Sequence, residues 1–362
     1  MEINVARTRK EKKALLEFYK SQYKDQPLRR DSLSGLLKGV LFGTSVMNES
    51  ISSLPLFVKE DGKIIMSAVL AKANRMPDYL QISFFESLSY SQEAFSLIYE
   101  KAEEMAYEWG CKKICSSLNI HVNYGLGFLN GNYDKDQTFG TAHNDEHIHA
   151  YFQEHNFKSI LMVTFYKDME QDFFLFNDKL KDRVTNRYRV RSADFKNMKE
   201  EAKIYTEINN DAFKDHPFYY KRVEEEDLEL FNDFKLLLKP ENLLFVEKDN
   251  VPVGFMLWYP DYHQVMDNRD TIGFSTLIKS KIYNKRMTRF KIVEMGVIKS
   301  EQKKGAILAL FQQCFKLTKG KYKSFESGWV LEENFESGNF GLKWADGISK
   351  RFVAYEKELS ND

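Results

Sequence analysis

Hydrophobic and polar positions along the first half of the chain follow two periods, and their order predicts its secondary structure. Between Gln92 and Trp109 apolar residues recur at helical spacing, and Gly110 follows as a helix end. Shorter alternating runs on either side predict strands. The other elements predicted in this half are a helix at Glu11–Tyr23, a hairpin of Leu56–Val58 and Ile64–Ala71, strands at Leu80–Phe85 and Lys113–Ser116, and closing segments at Ile148–His155 and Ser159–Tyr166.

The second half of the chain repeats this order of patterns. The first half alone carries a Gly- and Asn-rich stretch, at Asn119–Asp145. The elements predicted for the second half are strands at Tyr188–Arg191, Arg289–Ile298, Ser324–Val330 and Arg351–Lys357, a hairpin of Leu243–Glu247 and Val253–Trp258, and helices at Lys196–Phe213, Leu228–Leu238, Lys304–Thr318 and Asn334–Ala345.

Two short motifs recur in the same order and indicate a duplication. Y-K-D-Q-P begins at Tyr23 and F-K-D-H-P at Phe213, 190 positions later. L-F-V-K-E-D-G begins at Leu56 and L-F-V-E-K-D-N at Leu244, 188 positions later. Two matches at nearly one offset predict a repeated unit of about half the chain. We therefore predict a first domain at 1–169, a connecting segment at 170–186 and a second domain at 187–362.

Composition limits the class of protein without identifying it. The 362 residues are 43% hydrophobic and 29% charged, with zero net charge, which is typical of a soluble globular protein without a DNA or membrane partner. The N-terminal segment lacks the apolar run of a secretory signal. With three cysteines, reduced thiols and a cytoplasmic location are expected.

Two clusters in the sequence contain residue types that can bind a metal ion. Cys111 and Cys115 lack a second ligand pair, so no metal is expected there. The histidines between His143 and His155 have spacing compatible with zinc, but an unmatched cluster in a Gly-rich stretch is more typical of a solvated loop.

The sequence V-E-M-G-V-I-K-S-E-Q-K-K-G-A-I, from Val293, carries the most specific chemistry. A strand leads into a glycine-containing loop that opens a helix, where free N–H groups, the helix dipole and two lysines favour a pyrophosphate. This stretch resembles the cofactor signature of the GNAT superfamily, the acyl-CoA N-acyltransferases. Ile307 departs from the pattern, which has a small residue there. G-W-V-L-E-E-N from Gly328 and the hairpin from Leu243 resemble the same superfamily, and particularly bacterial tandem-GNAT proteins mostly of unassigned function.

The resemblance implies an α+β (mixed α/β) fold of two tandem GNAT-like domains, each a mostly antiparallel mixed sheet flanked by helices. It implies transfer of an acyl group, acetyl or another, from acyl-CoA to a small-molecule or peptide amine. The implied catalytic candidates are Glu294 as base, Glu332, and Tyr355 as acid. A tyrosine acid is absent from its usual positions, which hold Phe335 and Phe340. The implied acyl-CoA-binding residues are Met295, Gly296, Val297, Gln302, Lys303, Lys304, Gly305, Ala306 and Asn334.

The counterpart loop of the first half, Glu86–Ser91, has neither glycine nor basic residue. We therefore predict that acyl-CoA binds the second domain, and that Ser89 or Ser91 caps the next helix. Two alternatives remain. The degenerate motif is compatible with a non-catalytic GNAT-like scaffold. The basic run Lys279–Lys291 is compatible with a solvated loop, or with steering of an aminoacyl-tRNA or long-chain acyl-CoA donor.

Overall fold

The structure is a computed structural model of the chain, and it describes residues 1–171, 178–267 and 271–359. The chain packs as two compact units: one is Met1–Met162 with Met266–Ile272 and Lys350–Asp362, the other Val163–Val265 with Gly273–Ser349. Each unit contains one mixed sheet with helices packed on it.

The first half of the chain forms the predicted elements in the predicted order and adds β1, α2 and β6, which the hydrophobic pattern did not predict. They are β1 (Glu2–Val5), α1 (Arg9–Ser21), α2 (Ser34–Phe42), β2 (Ile51–Glu60), β3 (Lys63–Ala73), β4 (Tyr79–Ser87), α3 (Gln92–Glu108), β5 (Lys113–Ser116), β6 (Phe128–Leu129), α4 (Ile148–Glu154) and β7 (Lys158–Asp168).

The second half repeats the pattern. Part of the predicted connecting segment is helical, and residues 172–177 of it lie outside the described residues. The elements are α5 (Asp178–Arg187), β8 (Arg189–Ser192), α6 (Met198–Ala212), α7 (Glu224–Phe234), β9 (Leu243–Lys248), β10 (Val251–Pro260), α8 (Phe274–Ile282), β11 (Arg289–Val297), α9 (Ala306–Thr318), β12 (Ser324–Ser327), β13 (Val330–Leu331), α10 (Phe335–Trp344) and β14 (Gly347–Glu358).

The two sheets have the same strand order. In the first unit it is β1-β2-β3-β4-β5-β14, and in the second β8-β9-β10-β11-β12-β7. In both, neighbours are antiparallel except the fourth and fifth strands, β4 with β5 and β11 with β12, which are parallel. The predicted mixed, mostly antiparallel sheet is therefore present twice.

The sixth strand of each sheet comes from the opposite half of the sequence. Tyr355 on β14 pairs with Ser116 of β5, and Tyr166 on β7 pairs with Glu326 of β12. The predicted limits at 169 and 187 instead assign each closing strand to its own half. Sequence alone could not show this exchange, because both sheets offer the same backbone hydrogen-bonding groups at that edge.

Aromatic side chains fill both cores. In the first unit, the Phe95 ring stacks on Tyr151 with centroids 4.9 Å apart. In the second, Phe325 stacks on Trp344 at 5.0 Å and on Phe290 at 5.0 Å. Such pairs add specific ring geometry to hydrophobic burial.

Gly254 on β10 packs closely against the neighbouring strands β9 and β11. A Cβ atom there would lie 2.8 Å from the Gly296 carbonyl oxygen and 2.9 Å from Val246. We expect Gly254→Ala to lower the free energy of unfolding by about 1–3 kcal/mol, because backbone has to move to admit it. Gly35→Ala, in α2 with no atom within 4 Å, is the control and is expected to leave stability unchanged or slightly raised. Urea denaturation measures both; an unaffected Gly254→Ala protein would contradict this packing.

Candidate functional site

β11 separates from β12 halfway along its length. Within the described residues its parallel pairing with β12 covers Arg289–Ile292, whereas its pairing with β10 continues to Val297. Gly328, just after β12, donates its N–H to the Ile292 oxygen at 2.5 Å, and a Cβ there would lie 2.3 Å from the Val293 oxygen. The strands therefore touch at this glycine, and a gap opens beyond it.

The backbone of Met295 and Val297 faces this gap. The Ile298 N–H donates to the Val253 oxygen on β10 at 2.9 Å. Since successive residues of a strand point their backbone groups to opposite sides, Val297 and Met295 point away from β10. This edge can present the N–H groups of Met295 and Val297 to an elongated ligand.

Glu294 lies at the start of the gap, directly after a β-bulge opposite Leu257 and Trp258. Its half-buried carboxylate accepts a hydrogen bond from the Asn209 amide at 2.8 Å, through Oε1, and another from the Tyr205 hydroxyl, through Oε2. Burial raises the pKa of Glu294 to about 7, even though both hydrogen bonds lower it. A carboxyl group with this pKa can take up or release a proton near neutral pH.

The helices behind Glu294 hold its two donors in place. The Tyr205 ring on α6 packs against Phe255 at 4.5 Å and Phe231 at 5.0 Å. A fully buried ion pair joins Arg222 to Asp227 of α7 at 2.6 Å, and the Thr206 hydroxyl donates to Asp227 at 2.7 Å. The donors are thus fixed by packing and by a charge pair.

The loop after β11 is tied down on both sides. Gln302 donates to the Val297 oxygen at 3.1 Å. Buried Glu301 accepts from Lys248 at 2.8 Å, from Tyr188 at 2.9 Å and from Arg187 at 3.1 Å, and these hydrogen bonds lower the pKa of Glu301 to about 2.

Gly305 ends this loop with a left-handed backbone, φ +103°, and α9 begins at Ala306. A Cβ at Gly305 would lie 3.2 Å from Val184, so both conformation and space favour glycine. Lys303 and Lys304 are exposed beside it. The result is a rigid helix start with two adjacent cations, which suits a phosphate group.

The other predicted site residues lie elsewhere. Glu332 is exposed in the turn after β13. Asn334 caps α10 by accepting from the Ser337 N–H at 3.1 Å. Tyr355 is buried in the core of the first unit, where its hydroxyl hydrogen-bonds His149 Nδ1 at 2.9 Å. Glu294, Met295–Val297 and Gln302–Ala306 are therefore the part of the prediction that one strand and its following loop bring together.

The histidine cluster belongs to the packing of the first unit. Both ring nitrogens of His149 are hydrogen-bonded, to Tyr355 and to the Leu129 oxygen at 2.9 Å. His143 contacts the Lys135 oxygen at 3.1 Å. Among the described residues, no group of three His, Cys, Asp or Glu side chains could hold a metal ion.

Sequence reasoning missed Tyr205, Asn209 and a second glutamate in the first unit. Glu86 follows a bulge in β4, as Glu294 does in β11. Tyr23 donates to Glu86 at 2.6 Å, and burial raises the pKa of Glu86 to about 7. The repeat offset of 190 aligns Tyr19 with Asn209 and could have directed attention to this helix face.

The loops that follow the two glutamates differ. In the first unit Ser91 caps α3 by accepting from the Ala94 N–H at 3.4 Å, so the predicted cap is confirmed. The two units thus share a perturbed carboxyl group, but only the second follows it with a glycine and two lysines.

We compared the sequence and the fold with those of known proteins. No family model matches the chain. The bacterial ceramide synthase of Caulobacter vibrioides (strain NA1000 / CB15N) is 21% identical over 278 residues, which is 73% of this chain and 72% of that protein.

Several solved structures share the fold. A tandem GNAT protein from the clavulanic acid biosynthesis pathway matches with TM-score 0.56 and 11% identity over 100% of both chains. A probable N-acyltransferase from Enterococcus faecalis V583 matches at 0.57 and 8% identity, over 99% of this chain and 72% of its own. A GCN5-related glucosamine N-acetyltransferase region of a fungal multi-domain protein matches at 0.57 and 13% identity; this chain, covered to 98%, spans 38% of that longer chain.

The chain therefore has a tandem GNAT fold, and the fold predicted from the sequence is confirmed. Every helix among the described residues is too short or too polar to cross a membrane.

The hydrogen bond from Tyr205 makes a prediction about the titration of Glu294. Because this bond lowers the pKa of the carboxyl group, we expect Tyr205→Phe to move the midpoint above 7, with Glu294 protonated over a wider range. Carbon-13 NMR of glutamate-labelled protein measures it, with Glu294→Gln to assign the signal. Tyr23→Phe is the control and should shift Glu86 alone; an unchanged Glu294 midpoint in Tyr205→Phe would contradict the assigned donor.

Proposed function

We propose that this protein is an N-acyltransferase that moves an acyl group from acyl-CoA to an amine, with the reaction in the second unit. One observation carries the proposal: a carboxyl group with a pKa near 7, Glu294, lies on the strand that leads directly into a rigid glycine- and lysine-containing helix start. The fold shared with a probable N-acyltransferase, and the distant ceramide synthase, support it.

The groups along β11 suit each step of this transfer. Ionised Glu294 takes a proton from the attacking amine as the new C–N bond forms. N–H groups of Met295 and Val297 stabilise negative charge that develops on the thioester oxygen. The C–S bond then breaks and the sulfur leaves as a thiolate, which takes a proton from solvent. Since a thiol has a pKa of about 8.5, this departure needs little acid assistance, so the missing tyrosine acid is compatible with turnover.

The loop supplies the binding energy for the donor. N–H groups at the start of α9 and the exposed Lys303 and Lys304 suit a phosphate group. Glu301 beneath them lies 3.6 Å from the Lys304 ammonium and also accepts hydrogen bonds from Lys248, Tyr188 and Arg187. Ile307 is half-buried within the first turn of α9. Because isoleucine keeps its backbone N–H, the helix start retains all of its N–H groups.

The acyl group and the amine are the second part of the proposal. The sequence motif favours acetyl-CoA, whereas the name of the Caulobacter relative favours a long acyl chain and an amino lipid, because ceramides are amides of long-chain amino alcohols. A donor series from acetyl-CoA to palmitoyl-CoA, each with a sphingoid base and with a small amine, separates these alternatives by relative kcat/KM.

Donor binding gives the first test. Gly305→Glu places a carboxylate at the helix start and a side chain where φ is positive, and we expect at least about 100-fold weaker acyl-CoA binding by calorimetry. Ser89→Glu is the matched control, since it adds the same charge to the corresponding exposed loop of the first unit, and binding should remain within about twofold. Undetectable binding by the wild type, or an equal loss in Ser89→Glu, would reject the proposed site.

The role of Glu294 gives the second test. We expect Glu294→Gln to lower kcat by about 10²–10⁴-fold and to abolish the rise of activity with pH through about 7, because the ionised carboxylate is the base. Glu86→Gln removes the equivalent carboxylate from the unit without the glycine loop and should retain most activity. Acyl-CoA binding without turnover in the wild type would favour a scaffold instead.

A further inference from the structure

The helix α8 exposes large apolar residues to solvent, whereas an ordinary surface helix buries them. Its one fully buried residue among those described is a small polar one, Thr276. Three large apolar residues are exposed to solvent instead: Phe274 is 68% exposed, Ile278 43% and Ile282 64%. Single exposed apolar side chains are common, but a row of them on one element marks an interaction surface.

The three side chains form one continuous stripe. They recur every four residues, and residues four apart on a helix lie on the same face. Tyr283, 40% exposed, directly follows Ile282 as the C-cap residue. We call Phe274, Ile278 and Ile282 the apolar stripe of α8.

Positive charge borders this stripe. Lys281, Lys285 and Arg286 are exposed on α8 and the turn that follows, and residues 271–293 contain no acidic residue. Arg286 lies over the Tyr283 ring at 4.4 Å, so charge and apolar surface meet directly.

The structure divides the basic run that the sequence presented as one feature. Arg289 pairs with Asp261, with its Nε at 2.6 Å, and Lys291 is buried. These two residues act inside the fold, whereas Lys281, Lys285 and Arg286 remain on the surface beside the apolar stripe.

We propose that α8 docks on an anionic lipid surface, with its apolar stripe in the headgroup boundary and its basic residues against lipid phosphates. An amphipathic helix with large apolar residues on one face and lysine or arginine beside them binds membranes in this way. The proposal replaces the sequence-based expectation of no membrane partner, and it holds whether or not the proposed function is correct.

Charge and chemistry favour a lipid surface over other partners. A second copy of the chain would bring the same basic border against itself and repel it. A nucleic acid would neutralise the cations but leave Phe274, Ile278 and Ile282 without an apolar contact. An anionic bilayer surface satisfies both the charges and the apolar side chains.

Co-sedimentation of the full chain with vesicles tests the proposal. We expect binding to phosphatidylcholine vesicles that contain 30 mol% phosphatidylglycerol, about tenfold or more weaker binding to pure phosphatidylcholine, and release by 0.5 M NaCl. Failure of the wild type to bind the anionic vesicles, or equal binding to both compositions, overturns the proposal.

Two sets of variants locate the contact. Replacing Phe274, Ile278 and Ile282 by Ser should reduce the partition coefficient at least about 100-fold, and replacing Lys281, Lys285 and Arg286 by Gln should reduce it on the order of 100-fold. The matched controls are Leu236→Ser with Val251→Ser, and Lys316, Lys321 and Lys323 each to Gln, which alter exposed residues elsewhere in the second unit and should stay within about twofold.

Two further measurements make the result decisive. Circular dichroism melts establish that each variant is folded, and light scattering measures the oligomeric state of the wild type and of the Ser variant. If the controls lose as much binding as the α8 variants, α8 is not the contact. If the wild type self-associates through the stripe and ignores vesicles, the surface is an interface between copies and the proposal is wrong.

Discussion

The separation of β11 from β12 beyond Gly328 is the constraint on which the candidate site depends. Backbone N–H and carbonyl groups must be hydrogen-bonded or solvated, so a strand edge that loses its neighbour inside a sheet is available to a ligand. At the same point, just after the bulge, the Glu294 carboxylate contacts Tyr205 and Asn209 of α6. The bulge, the glycine and the two donors all act on one stretch of strand, which then runs directly into the loop at Gly305.

The duplicated carboxyl groups show how two copies of one fold can differ in function. Glu86 and Glu294 both follow a bulge, and each accepts a hydrogen bond from a tyrosine, Tyr23 in the turn after α1 and Tyr205 on α6. In both, burial raises the pKa to about 7. Their environment is a property of the fold. The glycine and lysines after β11 are a property of the second copy, and in the proposed function they bind the phosphorylated donor.

The surface of α8 adds a consideration independent of the site. A fold that leaves three large apolar side chains in a row exposed, with cations beside them, lacks the stability that burial of those side chains would give. Contact with a lipid surface would bury them. Such contact would bring the protein to an amphiphilic substrate, and it links the amine-acylating chemistry proposed for Glu294 to the place where amino lipids are found.

The sequence by itself determined most of the order of elements, the duplication and the Gln302–Ala306 loop, because these depend on local periodicity and on neighbouring residues; the helices α2 and α8 were missed. Tertiary structure alone decided three other features. The bonds from Tyr205 and Asn209 to Glu294 join residues 89 and 85 positions apart, and the resulting pKa depends on burial. The exchange of β7 and β14 is a choice between equivalent sheet edges. Periodicity can reveal an apolar stripe on a helix, but the tertiary packing decides whether that stripe faces the core or solvent. In α8 the side that packs inward carries Thr276, and the apolar stripe faces solvent.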